Sequence, residues 1–474
     1  MKSVKILYLF LIIFASASVI TAQQGHRIEV QLKGFENKDA ILGYYSNKKM
    51  YVTDTVQFND KGVAVFAGDE PYPGGLYLVY LPNGKYFDLL LDSDQTFSIK
   101  TDTTDLIGKM EIKGATDPLL FNQYQRFISD RQKKASTLQT QIKETSDETQ
   151  KAELQKQLKT IDQEVKDYWR ESSTSHPESF YAVFLKSMQE PEIPTFDDVP
   201  QTAVNRDSII QMRRYLFIRD HFFDNINFTD QRLLRTPFYP QKLDTYFDRF
   251  LIQSPDTVTE AAINIIEKCR PNKEMFRFTT QYLFNKINDN KIMGMDAAVV
   301  ALAHKYYLSG DAEWATDEFL EKLEKYVRDV SPTLIGKTAH DLRMESLDGQ
   351  IYRLHEINAP VTIVAFYEPT CGHCKKEIPK LYKEVFEPYR SKGVQVFAVY
   401  SLNDRKEWQD FVDEHELYNW INVYDPHYET NFRSYYDIRS TPMIYILDKN
   451  KKIVGKRLDV EQMPGFLDHL LKQQ

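Results

Sequence analysis

From His26 to about Gly114 the apolar positions fall in short runs, several of them alternating: Ile28 to Leu32, Ala40 to Tyr45, Gly75 to Leu81, Tyr86 to Leu91 and Thr96 to Lys100. The turn clusters Asn59-Asp60-Lys61-Gly62 and Pro82-Asn83-Gly84-Lys85 separate such runs, and the stretch predicts a small all-β domain built as a sandwich. After Asp117-Pro118 the apolar period becomes helical. Leu154, Leu158, Ile161, Val165 and Tyr168 make one seam along a helix face, and Ala135, Leu138 and Ile142 supply a facing stripe. The pattern predicts a helical hairpin, with Thr145 and Glu148 as a capping box where the second helix starts. Helical character continues to about Val330, interrupted at 191–200 and 235–240, and its many Phe and Tyr residues read as core. Ser331-Pro332 then marks a boundary, because a residue before proline is pushed out of the helical region.

Beyond that boundary strands and helices alternate. A hairpin around Ser346 to Ile351 leads to strand Val361 to Tyr367, a helix from Cys371, strand Val394 to Tyr400 and helix Arg405 to His415. Strand Met443 to Asp448, its partner Lys452 to Lys456 and a helix after Glu461 complete the series, which implies an α/β layer fold. The expected organisation is therefore an all-β sandwich-like domain at 23–115, an all-α region at 116–330 and an α/β domain at 331–474.

Residues 1–22, MKSVKILYLFLIIFASASVITA, place Lys2 and Lys5 ahead of an apolar run that ends in small residues. This is the pattern of a secretory signal peptide cleaved after Ala22, and the run is short of the ~20 residues a spanning helix needs. The remaining chain is expected to be exported, in a periplasm or its equivalent, and soluble. Hydrophobic residues make up 42% of the 474 and aromatic residues 13%, enough for packed cores. A net charge of -8 without a basic stripe excludes a general nucleic-acid binder. Three cysteines in so long a chain are no disulfide framework. Cys269 reads as a small buried hydrophobe.

The chemistry concentrates where a buried-type strand runs into Cys371-Gly372-His373-Cys374 at the start of a helix. Unpaired N–H groups and the positive helix end stabilise an anion there, so Cys371 is expected to be the nucleophilic thiolate. Cys374, one turn on and sheltered inside the helix, is the expected resolving thiol. Gly372 and His373 lie between them, and His373, Lys375 and Lys376 add donors or charge that tune the pair toward an oxidising potential. A zinc site would need further ligands at tight spacing, so no metal and no other cofactor is expected. A permanently structural bond closing so short a ring would stabilise little. Gly336-Lys337-Thr338 lacks the earlier glycine of a phosphate loop, His355-Glu356 and His415-Glu416 lack the second histidine of a zinc protease, and the acidic clusters near Asp92 and Asp102 lack the rest of a calcium loop.

With the leading Leu347-Asp348-Gly349 hairpin, the helical Pro379 and Ser440-Thr441-Pro442 before the strand at Met443, the segment from about Ser331 resembles the thioredoxin superfamily. Within it the likeness is to TlpA/ResA-like exported thiol-disulfide oxidoreductases. The resemblance implies a cis Pro442 beside the redox pair, with Thr441 and Pro442 lining a groove for an incoming peptide. It also marks two departures: Ala365 stands where the family buries an acid, and Thr370 where tryptophan is common. Glu368 could then serve as the missing base toward Cys374, or be an ordinary loop carboxylate. The order of upstream domains is similar to that of exported proteins of Bacteroides-type bacteria.

The expected function is thiol-disulfide exchange with protein disulfide or dithiol substrates, reduction slightly favoured over oxidation, with a membrane electron donor or acceptor as partner. The alternatives are a dithiol oxidase or isomerase, and a non-enzymatic binding protein whose thioredoxin-like domain only docks. A peroxiredoxin is disfavoured, because Pro369 lies only two residues before Cys371 and so no peroxidatic loop precedes it.

Overall fold

The computed structural model describes residues 25–472, so the signal-peptide segment lies outside the described residues. The chain divides into two compact units, one running to residue 227 and including 231–243, the other comprising 228–230 and everything from 244 on.

The first unit begins with β1 (His26–Gln31), β2 (Asp39–Ser46), β3 (Lys49–Gln57), β4 (Val63–Gly68), β5 (Gly75–Tyr80), β6 (Tyr86–Leu91), β7 (Thr96–Lys100) and β8 (Glu111–Lys113). They form two four-stranded sheets in the orders β4-β1-β7-β8 and β3-β2-β5-β6. One core that includes Ile28, Phe66 and Phe97 from the first sheet and Leu42, Val79 and Leu89 from the second joins them, as a sandwich requires. The hydrophobic pattern did not give β3, β4 or β8. β3 is an edge strand whose Met50, Tyr51 and Val52 are all exposed, so it carries no buried-face alternation to read. The turn into β4 is built by Asn59, whose Oδ1 accepts from Lys61 and Val63 N–H, and by Gly62 at φ +68, where a Cβ would sit 2.6 Å from the Leu32 carbonyl.

The helices α1 (Thr116–Glu144) and α2 (Glu148–Ser175) form the expected hairpin, with Phe127 stacked on Tyr168 at 4.2 Å and Arg131 bound to Glu164 at 3.0 Å. The cap differs from expectation. Asp147 caps α2, accepting from the N–H groups of Thr149 and Gln150, while Thr145 ends α1 with its N–H on the Gln141 carbonyl. Next come α3 (Phe180–Met188), α4 (Arg206–His221) and α5 (Phe238–Arg249). Pro240, expected in a break, sits in the first turn of α5, where no backbone donor is required of it.

In the second unit the end of α5 is followed by α6 (Pro255–Cys269), α7 (Lys273–Asn288), α8 (Asp296–Leu302) and α9 (Asp317–Val330). Ser254, Asn272 and Thr316 cap α6, α7 and α9 through their side chains. Ser331 does not leave the helical region as the following proline suggested. It keeps φ -54 and ψ -38 in a 3₁₀ turn with its hydroxyl on the Val327 carbonyl, and the chain becomes extended only at Leu334.

The strands β9 (Arg343–Ser346), β10 (Ile351–Arg353), β11 (Val361–Tyr367), β12 (Val394–Tyr400), β13 (Ile421–Tyr424), β14 (Met443–Asp448) and β15 (Ile453–Lys456) make one sheet in the order β10-β9-β13-β12-β11-β14-β15. β11 runs parallel to β12 and antiparallel to β14, and all seven of its residues are buried, which explains an apolar run broken only by Thr362. The helices of this layer are α10 (Gly372–Lys380), α11 (Glu387–Arg390), α12 (Arg405–Glu414), α13 (Phe432–Tyr435) and α14 (Met463–Lys472). Ala365, Tyr367 and Cys374 belong to the core that also holds Trp408 and Leu467, and Phe366 to a second core with Phe397 and Tyr436, so consecutive β11 residues serve opposite faces. Pro379 lies inside α10, and the chain passes at once into a π-helical turn over residues 381–386, the local repair that an internal proline demands.

Candidate active site

The site grows from the end of β11. Tyr367 is the last strand residue, and a tight turn follows in which the Cys371 N–H donates to the Glu368 carbonyl at 3.0 Å. Cys371 is the N-cap of α10, with φ -73 and ψ 123, and its carbonyl accepts the first helical bond from Lys375 N–H. Its sulfur is partly buried, and the amide N–H groups of Cys374 and His373 point toward it. The Cys374 amide above all, together with the Thr441 hydroxyl, holds the Cys371 thiol below its ordinary range, against a smaller opposing effect of burial. As a thiol, Cys371 Sγ donates to the Thr441 carbonyl at 3.2 Å, a contact that favours the protonated form, but the donors outweigh it.

Cys374 is fully buried one turn along the helix. Burial pushes its thiol up to about 12, and the neighbouring Cys371 sulfur adds to the rise. The Glu368 N–H, 3.5 Å from Cys374 Sγ, opposes it. One helix start therefore carries an outer sulfur biased toward thiolate and an inner one biased toward thiol.

The residues singled out in the sequence divide into those brought to the sulfurs and those that are not. Thr441 and Pro442, joined by a cis peptide bond, lie beside Cys371 and line a cavity of about 660 Å³. His373 is exposed and lines the same cavity. Gly372 is exposed too, and a side chain built on it would meet nothing, so the position has no steric need for glycine. Glu368 reaches Cys374 through its backbone N–H, while its carboxylate is 3.4 Å from Arg433, whose guanidinium also donates to the Ser401 carbonyl. Cys269 is fully buried on α6, its sulfur 3.4 Å from the Thr279 hydroxyl, and belongs to the helical packing rather than the site.

Other groups were missed. Below the pair, Ala365 leaves no acid, and Tyr367 is the polar side chain of the β11 face that packs with Cys374. Its buried hydroxyl accepts from Trp408 Nε1 at 3.0 Å. Glu377, Arg439 and Arg457 line the cavity at Pro442. The two arginines share Asp437, which is nearly inaccessible: Arg439 Nε donates at 2.7 Å and Arg457 to the other oxygen. Glu377 could have been found, since it follows His373 by four residues on the same helix face. The arginines could not, because no local pattern ties their segments to α10. Among the described residues, no group of three or more His, Cys, Asp or Glu is placed to hold a metal ion, and no helix is long and apolar enough to cross a membrane.

Residues 335–456 match the AhpC/TSA family, residues 26–117 the domain of unknown function DUF4369, and residues 137–328 the domain of unknown function DUF5106. The thiol-disulfide oxidoreductase ResA of Bacillus cereus is 24% identical over 139 residues, covering 29% of this chain and 78% of that protein. A solved domain of a possible thiol-disulfide isomerase from Cytophaga hutchinsonii is 38% identical, covering 30% of this chain and 97% of its own, with a TM-score of 0.29. A thioredoxin-like protein from Bacteroides caccae is 19% identical, covering 60% of this chain and 98% of its own, with a TM-score of 0.45.

Proposed function

The C-terminal domain belongs to the thioredoxin-like AhpC/TSA family, and from that premise we propose that the chain is a thiol-disulfide oxidoreductase whose redox pair is Cys371 and Cys374. The observation that carries this reading is the opposed bias of the two sulfurs on one helix start. The Cys371 thiolate attacks a client disulfide, forming a mixed disulfide and releasing one client thiolate. Cys374 then loses its proton and attacks Cys371 Sγ, which releases the second client thiol and leaves a Cys371–Cys374 disulfide. Two electrons pass to the client, and an external dithiol must restore the pair. Converting Cys371 to a neutral mixed disulfide removes one of the influences that raise Cys374, so the first step eases the second.

The cavity lined by Thr441 and Pro442 supports reading them as the client groove, the His373 N–H supports a tuning role toward Cys371, and the Glu368 N–H near Cys374 supports a role for Glu368 there. The amino-terminal pattern with Lys2 and Lys5 supports export to a periplasm or its equivalent, where a membrane electron partner supplies or removes the electrons.

A second reading, oxidase or isomerase, is favoured by the lowered Cys371 thiol, because a stabilised thiolate stabilises the reduced pair and makes the disulfide more oxidising. Equilibration of the full chain with glutathione buffers separates the two. A potential below about -200 mV is the result expected of a reductase, and one above about -150 mV assigns the oxidising role.

A further inference from the structure

We propose that the client-binding cleft extends from the redox pair onto the helical part of the second unit, and that the loop between α7 and α8 binds the polypeptide flanking a client's disulfide. This rests on the oxidoreductase reading of Cys371 and Cys374 and adds a place on the second unit, away from the two sulfurs, that holds a protein client.

The cavity at Thr441 and Pro442 does not end within the α/β layer. Its far wall is the segment Arg457-Leu458-Asp459 that follows β15, and the same three residues line a second cavity of about 630 Å³. The opposite wall of the second cavity is residues 287–296, at the end of α7, the following loop and the start of α8. Each volume falls within the ~300–1,000 Å³ usual for one small ligand, so the two in series exceed what a small disulfide would fill. The two cavities adjoin across Arg457-Leu458-Asp459, so a polypeptide held at Thr441 and Pro442 that crosses Leu458 reaches the loop.

The shared wall is held rigidly. Lys456 is buried at its base, bonded to Asp296 at the start of α8 and to the Thr333 carbonyl at 2.8 Å. Arg439 of the first cavity stacks over Tyr326 of the second, its guanidinium carbon 4.7 Å from the ring centroid. The loop presents Lys291 to solvent and leaves Ile292 43% exposed beside the second cavity, an apolar surface with an adjacent charge. Such a mixture, next to walls that are already preorganised, suits an extended peptide with mixed side chains.

The experiment compares the full-length wild type with Ile292→Asp and Lys291→Glu, both exposed substitutions, in catalysing reduction of insulin and of hydroxyethyl disulfide by dithiothreitol. Both variants are expected to lose about fivefold or more in kcat/KM for insulin while hydroxyethyl disulfide stays within about twofold. Unchanged insulin reduction in both variants would overturn the extended cleft and leave the oxidoreductase reading intact. A parallel loss on both substrates would also overturn it, since the loop would then act through the redox pair and not on the client. A wild type that accelerates neither reaction removes the oxidoreductase reading itself, and the cleft with it.

Discussion

Cys371 Sγ lies 3.2 Å from the carbonyl oxygen of Thr441, so the outer of the two sulfurs rests directly on the residue that precedes cis Pro442. The Thr441 hydroxyl is also among the donors that hold the Cys371 thiol low. Thr441→Val removes that donor and is expected to raise the Cys371 pKa and so to slow iodoacetamide alkylation at pH values below it. Thiolate absorbance followed across pH checks this, and an unmoved titration would show that the backbone amides alone set the thiolate.

Glu368 offers its N–H to Cys374 and its carboxylate to Arg433. In Glu368→Gln the backbone contact persists and only a partly exposed ion pair is lost, so stability should change by less than about 1 kcal/mol. Release of client from the mixed disulfide should slow, with its pH-rate profile shifted upward, if the carboxylate takes the Cys374 proton. Stopped-flow resolution of a preformed mixed disulfide measures this step, and an unchanged profile would rule out Glu368 as the base.

Asp117, in the first turn of α1, accepts from the N–H groups of Phe180 and Tyr181, yet burial and the nearby Asp92 push its carboxyl up to about 6. An acid whose folded pKa is raised binds its proton more readily folded than unfolded. Stability from this group is therefore full at low pH, falls between about pH 4 and pH 6, and stays low above. Asp117→Asn should raise thermal stability at pH 7 by on the order of 1 kcal/mol after allowance for solvent screening, and leave it unchanged near pH 3.5. Melting curves at the two pH values test the sign, and stabilisation that is equal at both would contradict it.

Lys456 and Asp296 form a pair whose side chains are 4% and 11% exposed. Removing one partner strands the other, so Asp296→Ala should cost about 3–5 kcal/mol in denaturant unfolding, whereas Asp296→Leu combined with Lys456→Met should recover most of it. A double variant no better than the single one would show that the pair itself, and not the stranded lysine, sets the stability.

The strand and the helix start that carry the two cysteines were legible because their physics is local: a strand buried on both faces reads as a nearly continuous apolar run, and Cys371 and Cys374 fall at its end. β3 was not legible, because an edge strand with Met50, Tyr51 and Val52 all exposed has no buried face to betray it. At the start of α2, Thr145 and Asp147 both carry capping oxygens, and only the backbone path decides that Asp147 points at the free N–H groups. Ser331 obeyed the helix before it rather than the proline after it, since its hydroxyl and α9 together outweigh the steric preference. The cavity walls were hidden for a different reason. Glu377, Arg439 and Arg457 come from α10, the segment before β14 and the end of β15, and only the order of strands in the sheet brings them together.

The division of labour between the two sulfurs is tested most directly by trapping. Full-length Cys374→Ala and Cys371→Ala variants, both still carrying the buried Cys269, are mixed with insulin, quenched with acid and digested for mass spectrometry. Cys374→Ala should accumulate a stable mixed disulfide on Cys371, and Cys371→Ala should form little or none on Cys374, whose thiol is sheltered and raised to about 12. Adducts of equal yield on either cysteine, or none on Cys371, would contradict the assignment of Cys371 as attacking thiolate and Cys374 as resolving thiol.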